Sequence, residues 1–259
     1  MSPGVVLLLS ASGMIAVGTL ASWLWNRGRP GNWPALGIGA LAWIIGVSLK
    51  LAWAFPTNRH VLGALRSTLP SILAPPISHI YIGLLTGVFE CGILLLVVRH
   101  SRLRNADWSQ AVASGIGKGG IETVLLGCLV LLGALAVLLA GDHLSAEQSA
   151  KVAANALSAR AITGPLERAF ALLGHVFSTV LIVYAVRQGR LRWFWLSFAY
   201  LSGVDGLAAW GIEVFGKEKL PMRPEFWGVF AVVTAVAVAG LFVLRRHFPP
   251  EKPGTLTGL

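Results

Sequence analysis

Residues 162–186 read ITGPLERAFALLGHVFSTVLIVYAV, an apolar run interrupted by Glu167, Arg168 and His175. A helix needs about 20 apolar residues to cross the hydrocarbon core of a bilayer, so this run predicts a membrane-spanning helix. Ionisable side chains are costly at that depth, and they usually face the interior of a bundle, pair with one another or serve a function. The run therefore predicts a membrane protein that contains a buried polar site.

Further apolar runs on both sides of this one predict the rest of the fold. Together they give seven spans, at about residues 5–25, 35–55, 77–98, 111–140, 162–186, 193–215 and 226–244. Hydrophobic residues make up 55% of the chain and charged residues 12%, whereas soluble domains have roughly 25% charged residues. We expect an all-α polytopic membrane bundle of about seven transmembrane helices, forming a single domain over residues 1–259.

The distribution of basic residues predicts orientation and partners. The net charge is +10, and most Lys and Arg residues lie in connections between apolar runs. Connections after odd-numbered spans, with the C-terminal tail, hold eleven of them, and the other connections hold seven. The positive-inside rule then predicts a multi-pass protein of the cell membrane with its N-terminus outside and its C-terminus in the cytoplasm. This placement predicts membrane lipids as partners and no nucleic acid.

Two connections and one long run depart from simple hairpins. The proline-rich stretch 56–76 is expected to lie at the membrane interface, and residues 142–160 are expected to form a short extracytoplasmic helix. The run 111–140 is longer than an untilted span requires, which predicts a tilted helix or one bent at its glycine-rich first turns. The sequence has no convincing internal repeat, which disfavours an inverted-repeat transporter.

Ionisable residues in the third and fourth spans are candidates for the polar site. Glu90 falls midway along its span, where it is either a hydrogen-bonded structural glutamate or a catalytic or transport carboxylate. Lys118 and Glu122 are four residues apart, so they share a helix face and are expected to pair. A structural ion pair and a role in the site are both open for these two residues.

The later spans add further candidates. His175 is either a hydrogen-bonding partner or a group for metal binding or proton transfer, and Asp205 lies mid-span in the sixth helix. Glu213 lies near a helix end and is expected to be solvated. Lys50 is close enough to the outer end of the second span to extend its ammonium group to the interface.

At these residues the chain resembles the YhfC-like membrane peptidases, distant relatives of the CAAX-protease and bacteriocin-processing membrane proteins. The resemblance covers about residues 82–211. It rests on four segments. Gly83 to Glu90 corresponds to a Gly-x-x-x-Gly-x-Phe-Glu-Glu block of the family, and Gly117 to Glu122 corresponds to its Gly-His-Gly-Gly-x-Glu. The family's Glu-Arg with a histidine seven residues on is present as Glu167, Arg168 and His175, and its His-x-x-x-Asp corresponds to Leu201 to Asp205. It identifies the chain as an intramembrane metalloprotease-like protein, with its polar site within that range.

The chain also departs from the family pattern. Cys91 replaces the second glutamate of the pair, the arginine expected shortly after it is missing around Leu94, and Lys118 and Leu201 replace two histidines. A zinc hydrolase needs about three protein ligands, an open position and a base. The chain is therefore a divergent member that lacks several expected ligands, and Lys118 would serve as a permanent positive charge in place of a metal.

The resemblance and the departures leave two main functions open. As an intramembrane hydrolase, the protein would use Glu90, Glu122 and His175 as catalytic residues, with His175 as the candidate ligand of a zinc ion. As a non-catalytic member, it would bind a lipid, a small amphiphile, or a membrane-protein or peptide partner. In either case Lys118, Glu167, Arg168 and Asp205 are the predicted binding residues. A transporter-like protein is a further alternative.

Overall fold

The structure is a computed structural model that describes residues 2–140, 145, 147, 159–216, 220 and 223–248. These residues form helices joined by short connections. The α-helices are α1 (Pro3–Asn26), α2 (Trp33–Thr68), α3 (Ala74–Thr86), α4 (Gly92–His100), α5 (Trp108–Ala140), α6 (Ala159–Gln188), α7 (Arg192–Phe215) and α8 (Pro224–His247). A π-helical segment, Gly87–Cys91, joins α3 to α4, so that residues 74–100 form one span.

Six spans in the described residues are long and apolar enough to cross a membrane: α1, α2, the α3–α4 span, α5, α6 and α8. The predicted all-α membrane bundle is confirmed. Helix α7, which was the sixth predicted span, is 24 residues long but is not among those six. It carries Asp205, Glu213, three Trp residues and one Tyr, and it packs on α3 and α6.

The second span is longer than the sequence indicated. It was predicted to end at residue 55, with an interfacial connection from Pro56 onward, but α2 continues through Pro56 to Thr68. A proline removes one backbone hydrogen bond, and membrane helices tolerate this loss where local adjustments satisfy the freed groups. The fourth run forms one unbroken helix, α5. The short helix predicted over residues 142–160 falls, apart from isolated positions, outside the described residues.

Helices α5 and α6 form the centre of the bundle. Helix α5 packs on α1, α2 and α6. In the membrane-spanning stretch of α6, 72% of the residues are buried, against 11% in that of α8. Glycines allow these close approaches: a Cβ atom at Gly115 would lie 2.6 Å from the Cα of Val176 on α6, and one at Gly117 would collide with the carbonyl oxygen of Leu36 on α2. This packing brings the ionisable residues of different helices together.

Candidate functional site

A cavity of about 320 Å³ lies among α2, the α3–α4 span, α5, α6, α7 and α8. Its lining combines apolar side chains with charged or titratable ones, which are Lys50, Glu90, Glu122, Glu167, Arg168, His175 and Asp205. Six of the seven predicted site residues line this cavity. The seventh, Lys118, is fully buried with its ammonium group beside Glu90. The structure therefore brings the predicted residues together, and their roles remain predictions.

Glu90 is held between two lysines. It lies in the π-helical segment and is 4% exposed. Lys50 Nζ on α2 donates a hydrogen bond of 2.6 Å to Glu90 Oε1, and Lys118 Nζ on α5 lies 3.5 Å from Oε2 as an ion pair without hydrogen-bond geometry. The prediction that Lys50 extends to the interface is wrong. Its ammonium group turns inward because a buried carboxylate lies within its reach.

Glu122 has partners from a single helix, α6. Arg168 Nη1 donates a hydrogen bond of 2.7 Å to Glu122 Oε1, and His175 Nε2 lies 2.6 Å from Oε2. Arg168 also donates through Nη2 to Glu167 Oε1 at 2.8 Å. The predicted Lys118–Glu122 pair is wrong, because Glu122 pairs with side chains of α6 whereas Lys118 pairs with Glu90 on the π-helical segment.

Asp205 completes the polar lining from α7. Its Oδ2 accepts a hydrogen bond from the hydroxyl of Thr86 and lies 3.8 Å from Lys50 Nζ. Its side chain is 41% exposed, which is more than those of Glu90, Glu122 and Glu167. Lys50 also donates to Thr86 Oγ1 at 3.2 Å. Asp205 is therefore the carboxylate of this site that is most accessible to a ligand.

The formal charges of the site do not cancel. Four carboxylates (Glu90, Glu122, Glu167 and Asp205) face three permanent cations (Lys50, Lys118 and Arg168). With every carboxylate ionised and His175 neutral, one negative charge is left over. A proton taken up within the site, or a cation supplied by a ligand, would balance it.

Sequence reasoning missed some polar residues near the site. Lys50 and Thr86 belong to the site, and the available signal was their position within apolar spans. Glu213, predicted to be solvated, has its Oε2 2.7 Å from Nε2 of His79, although its side chain is still 43% exposed. This second pair joins α7 to α3 and does not line the cavity.

The residues present do not fit a metal ion. Within the described part of the chain, no three His, Cys, Asp or Glu side chains are placed to hold one. Both oxygens of Glu90 face lysines, and both oxygens of Glu122 face Arg168 and His175. A dication at either glutamate would have to displace these groups, and the buried ammonium of Lys118 would repel it.

The residues that replace the expected ligands support this result. Cys91 is buried away from the cavity, with its sulfur 3.8 Å from Ser178 Oγ and 3.9 Å from Ser197 Oγ. Leu201 lines the cavity, where its side chain offers no donor atom. Cys91 therefore packs between helices outside the cavity, and Leu201 supplies apolar packing to its wall.

Comparison with known proteins gave one family. The model of a family described as YhfC intramembrane metalloprotease matches residues 13–212. This range contains every ionisable side chain of the cavity. No curated protein and no solved structure matches the chain.

Proposed function

We propose that this chain, which belongs to the YhfC intramembrane metalloprotease family, is a divergent member that binds the polar head of a membrane amphiphile in its charged cavity. One observation carries this proposal: cationic or hydrogen-bonding side chains already occupy the oxygens of both central glutamates. A catalytic zinc site needs about three protein ligands and an open position. The arrangement around Glu90 and Glu122 instead supports a site in which protein cations take the place of a metal.

The shape of the cavity also supports binding of an amphiphile. Ligand pockets commonly have volumes of about 300–1,000 Å³, apolar walls and a few placed polar groups. Here the polar groups come from α2, the π-helical segment, α5, α6 and α7, while Phe170, Val204 and Phe230 contribute apolar wall. A polar head group would gain charged partners in this cavity, and a hydrocarbon chain would gain apolar contacts.

A zinc measurement tests the central claim. The protein would be purified in detergent in the presence of zinc, desalted, and analysed for bound metal alongside a His175→Ala variant. We expect wild type and variant to hold the same small amount of zinc. About one zinc per chain in the wild type, lost in His175→Ala, would contradict the proposal and support a metallopeptidase.

A second candidate function, an active hydrolase, is favoured by the contact between His175 and Glu122. A carboxylate 2.6 Å from a histidine nitrogen is a suitable pair for removing a proton from water. The test is hydrolysis of a quenched fluorescent peptide library by protein reconstituted in vesicles. Turnover that is lost in Glu122→Gln and kept in Glu213→Gln, whose carboxylate lies outside the cavity, would establish this function.

We also propose that the protein lies in the cell membrane with its N-terminus outside and its C-terminus in the cytoplasm. The basis is the loop count of eleven basic residues against seven, with α7 as the seventh crossing. A reporter fused after Leu259 should behave as cytoplasmic. An extracytoplasmic signal would contradict this topology and would point to α7 as a helix that does not cross.

A further inference from the structure

An apolar groove between α7 and α8 adjoins the charged cavity. Except for Glu225, its lining consists of apolar side chains and one glycine. Four of its residues also line the charged cavity: Val204 and Ala208 on α7, and Phe230 and Val233 on α8. The groove and the cavity therefore lie side by side and share these lining residues, so that an apolar groove adjoins a charged cavity.

The groove exists because α7 and α8 pack on a common neighbour rather than on each other. Within the described residues, both helices pack extensively on α6, whereas contact between α7 and α8 themselves is marginal. A hydrogen bond of 3.4 Å from Tyr200 Oη to the carbonyl oxygen of Val233 crosses between them. Leu207 and Trp210 in the groove wall are 44% and 42% exposed. The groove thus leads from the cavity toward the surface that faces the bilayer.

The charge at the inner end indicates the kind of head group. The permanent charges of the cavity leave one carboxylate uncompensated, and Asp205 is the most exposed of the four. Asp205 and Ala208 are three residues apart on α7, so they lie on one face of that helix, one turn from each other. A single positive charge at Asp205 would place an attached chain at Ala208, where the groove begins.

We infer that the site binds a monocationic amphiphile, with an ammonium head at Asp205 and an alkyl chain in the groove between α7 and α8. This inference rests on the proposed function and specifies its ligand. An ammonium group at Asp205 would restore the formal neutrality of the site. A carboxylate or phosphate head would add to the excess negative charge and is disfavoured.

The test uses tritiated dodecylamine, which carries one positive charge at neutral pH, and protein purified in maltoside micelles. Saturable binding is measured, with unlabelled dodecanol and dodecanoic acid as competitors of the same chain length. We expect dodecylamine to bind saturably. Dodecanoic acid should displace it far more weakly than dodecanol does. Asp205→Asn should weaken amine binding about tenfold, comparable to the loss of one charged contact.

Two tryptophan substitutions test the groove. Ala208→Trp fills the junction between groove and cavity and should weaken dodecylamine binding at least about tenfold. Val232→Trp adds the same side chain to α8 at a position that is 65% exposed, and it should bind like wild type. Thermal unfolding in the same detergent checks that both variants fold, and Ala208→Leu replaces Ala208→Trp if the larger side chain prevents folding.

The outcomes separate this inference from the proposed function. Wild-type binding by a folded Ala208 variant overturns the groove as the chain site, while the charged cavity remains as a binding site. If dodecanoic acid competes as strongly as dodecanol, or if dodecylamine binding is unchanged in Asp205→Asn, the assignment of a monocationic head group is wrong. Absence of saturable dodecylamine binding overturns this inference, and the proposed function falls with it only when tritiated dodecanol and tritiated dodecanoic acid also fail to bind saturably.

Discussion

Glu90 and Glu122 are both buried at the centre of the bundle, but different parts of the chain neutralise them. The partners of Glu90 are two lysines from two helices, Lys50 on α2 and Lys118 on α5. The partners of Glu122 are Arg168 and His175, seven residues apart on α6. Two ammonium groups from two helices pair with Glu90, whereas a guanidinium and an imidazole of one helix pair with Glu122. On this difference we propose that Glu90 holds helices together and that Glu122 is better placed for chemistry.

The largest expected effect comes from removing the buried lysine. Lys118 is fully buried, so Lys118→Met would leave Glu90 with only one cation. Breaking a buried ion pair on one side typically costs about 3 to 5 kcal/mol. We expect a large drop in the thermal unfolding temperature in detergent, with Lys252→Met in the C-terminal tail as the control.

A double substitution sharpens this prediction. Replacing both partners removes the uncompensated charge, so Lys118→Met with Glu90→Gln should recover much of the lost stability. Wild-type stability of Lys118→Met alone would show that the lysine does not compensate Glu90, and the contrast between the two glutamates would fail.

A smaller loss is expected at the other glutamate. Arg168→Met removes hydrogen bonds to Glu122 and Glu167, but Glu122 keeps His175 as a partner. Hydrogen bonds to charged groups contribute about 1.5 to 3 kcal/mol each. Because Arg168, Glu122 and Glu167 are 13 to 23% exposed whereas Lys118 is 1% exposed, solvent screening should keep the total at or below about 3 kcal/mol. Thermal unfolding of Arg168→Met in detergent measures this loss of stability, with Arg190→Met at an exposed position as the control. A loss larger than that of Lys118→Met would reverse the proposed ranking of the two centres.

The smallest effect on stability is expected at Asp205. Its side chain is the most exposed of the four carboxylates, and its nearest cation, Lys50 Nζ, is 3.8 Å away, so it is the least tightly held of them. Asp205→Asn keeps an oxygen that can accept the hydrogen bond from Thr86, so its unfolding temperature should stay close to that of wild type. Asp205→Leu removes this acceptor and should be less stable than Asp205→Asn. A large loss in Asp205→Asn would mean that this carboxylate serves structure rather than a ligand.

The sequence predicted the elements of the fold better than it predicted the pairing within the site. Apolar runs locate the helices because bilayer thickness sets their length. The pairing of Arg168 and His175 with one glutamate follows from their shared face on α6. The partners of Glu90 could not be predicted in this way, because Lys50 and Lys118 meet it only through the packing of α2 and α5 on the α3–α4 span.

Local rules also failed where tertiary contacts compete with them. Lys118 and Glu122 are spaced for an ion pair within one helix, but each has a partner from a neighbouring segment within 3.5 Å. Pro56 predicted the end of the second span, yet α2 continues beyond it. In each case the sequence supplied the correct residues, and the arrangement of neighbouring helices decided their environment.

The π-helical segment Gly87–Cys91 has a consequence for how this cavity can be gained or lost in evolution. A π-helical turn is an α-helix that has accommodated one extra residue, and such turns are frequent at functional sites. Deleting a single residue here, such as the half-exposed Val88, would return the segment to regular α-helix. Helix α4 would keep its orientation, with Leu94 and Val98 still buried, while the direction of Glu90 would change. We therefore expect the deletion of one residue here to remove the Glu90 centre while the span that carries it is kept.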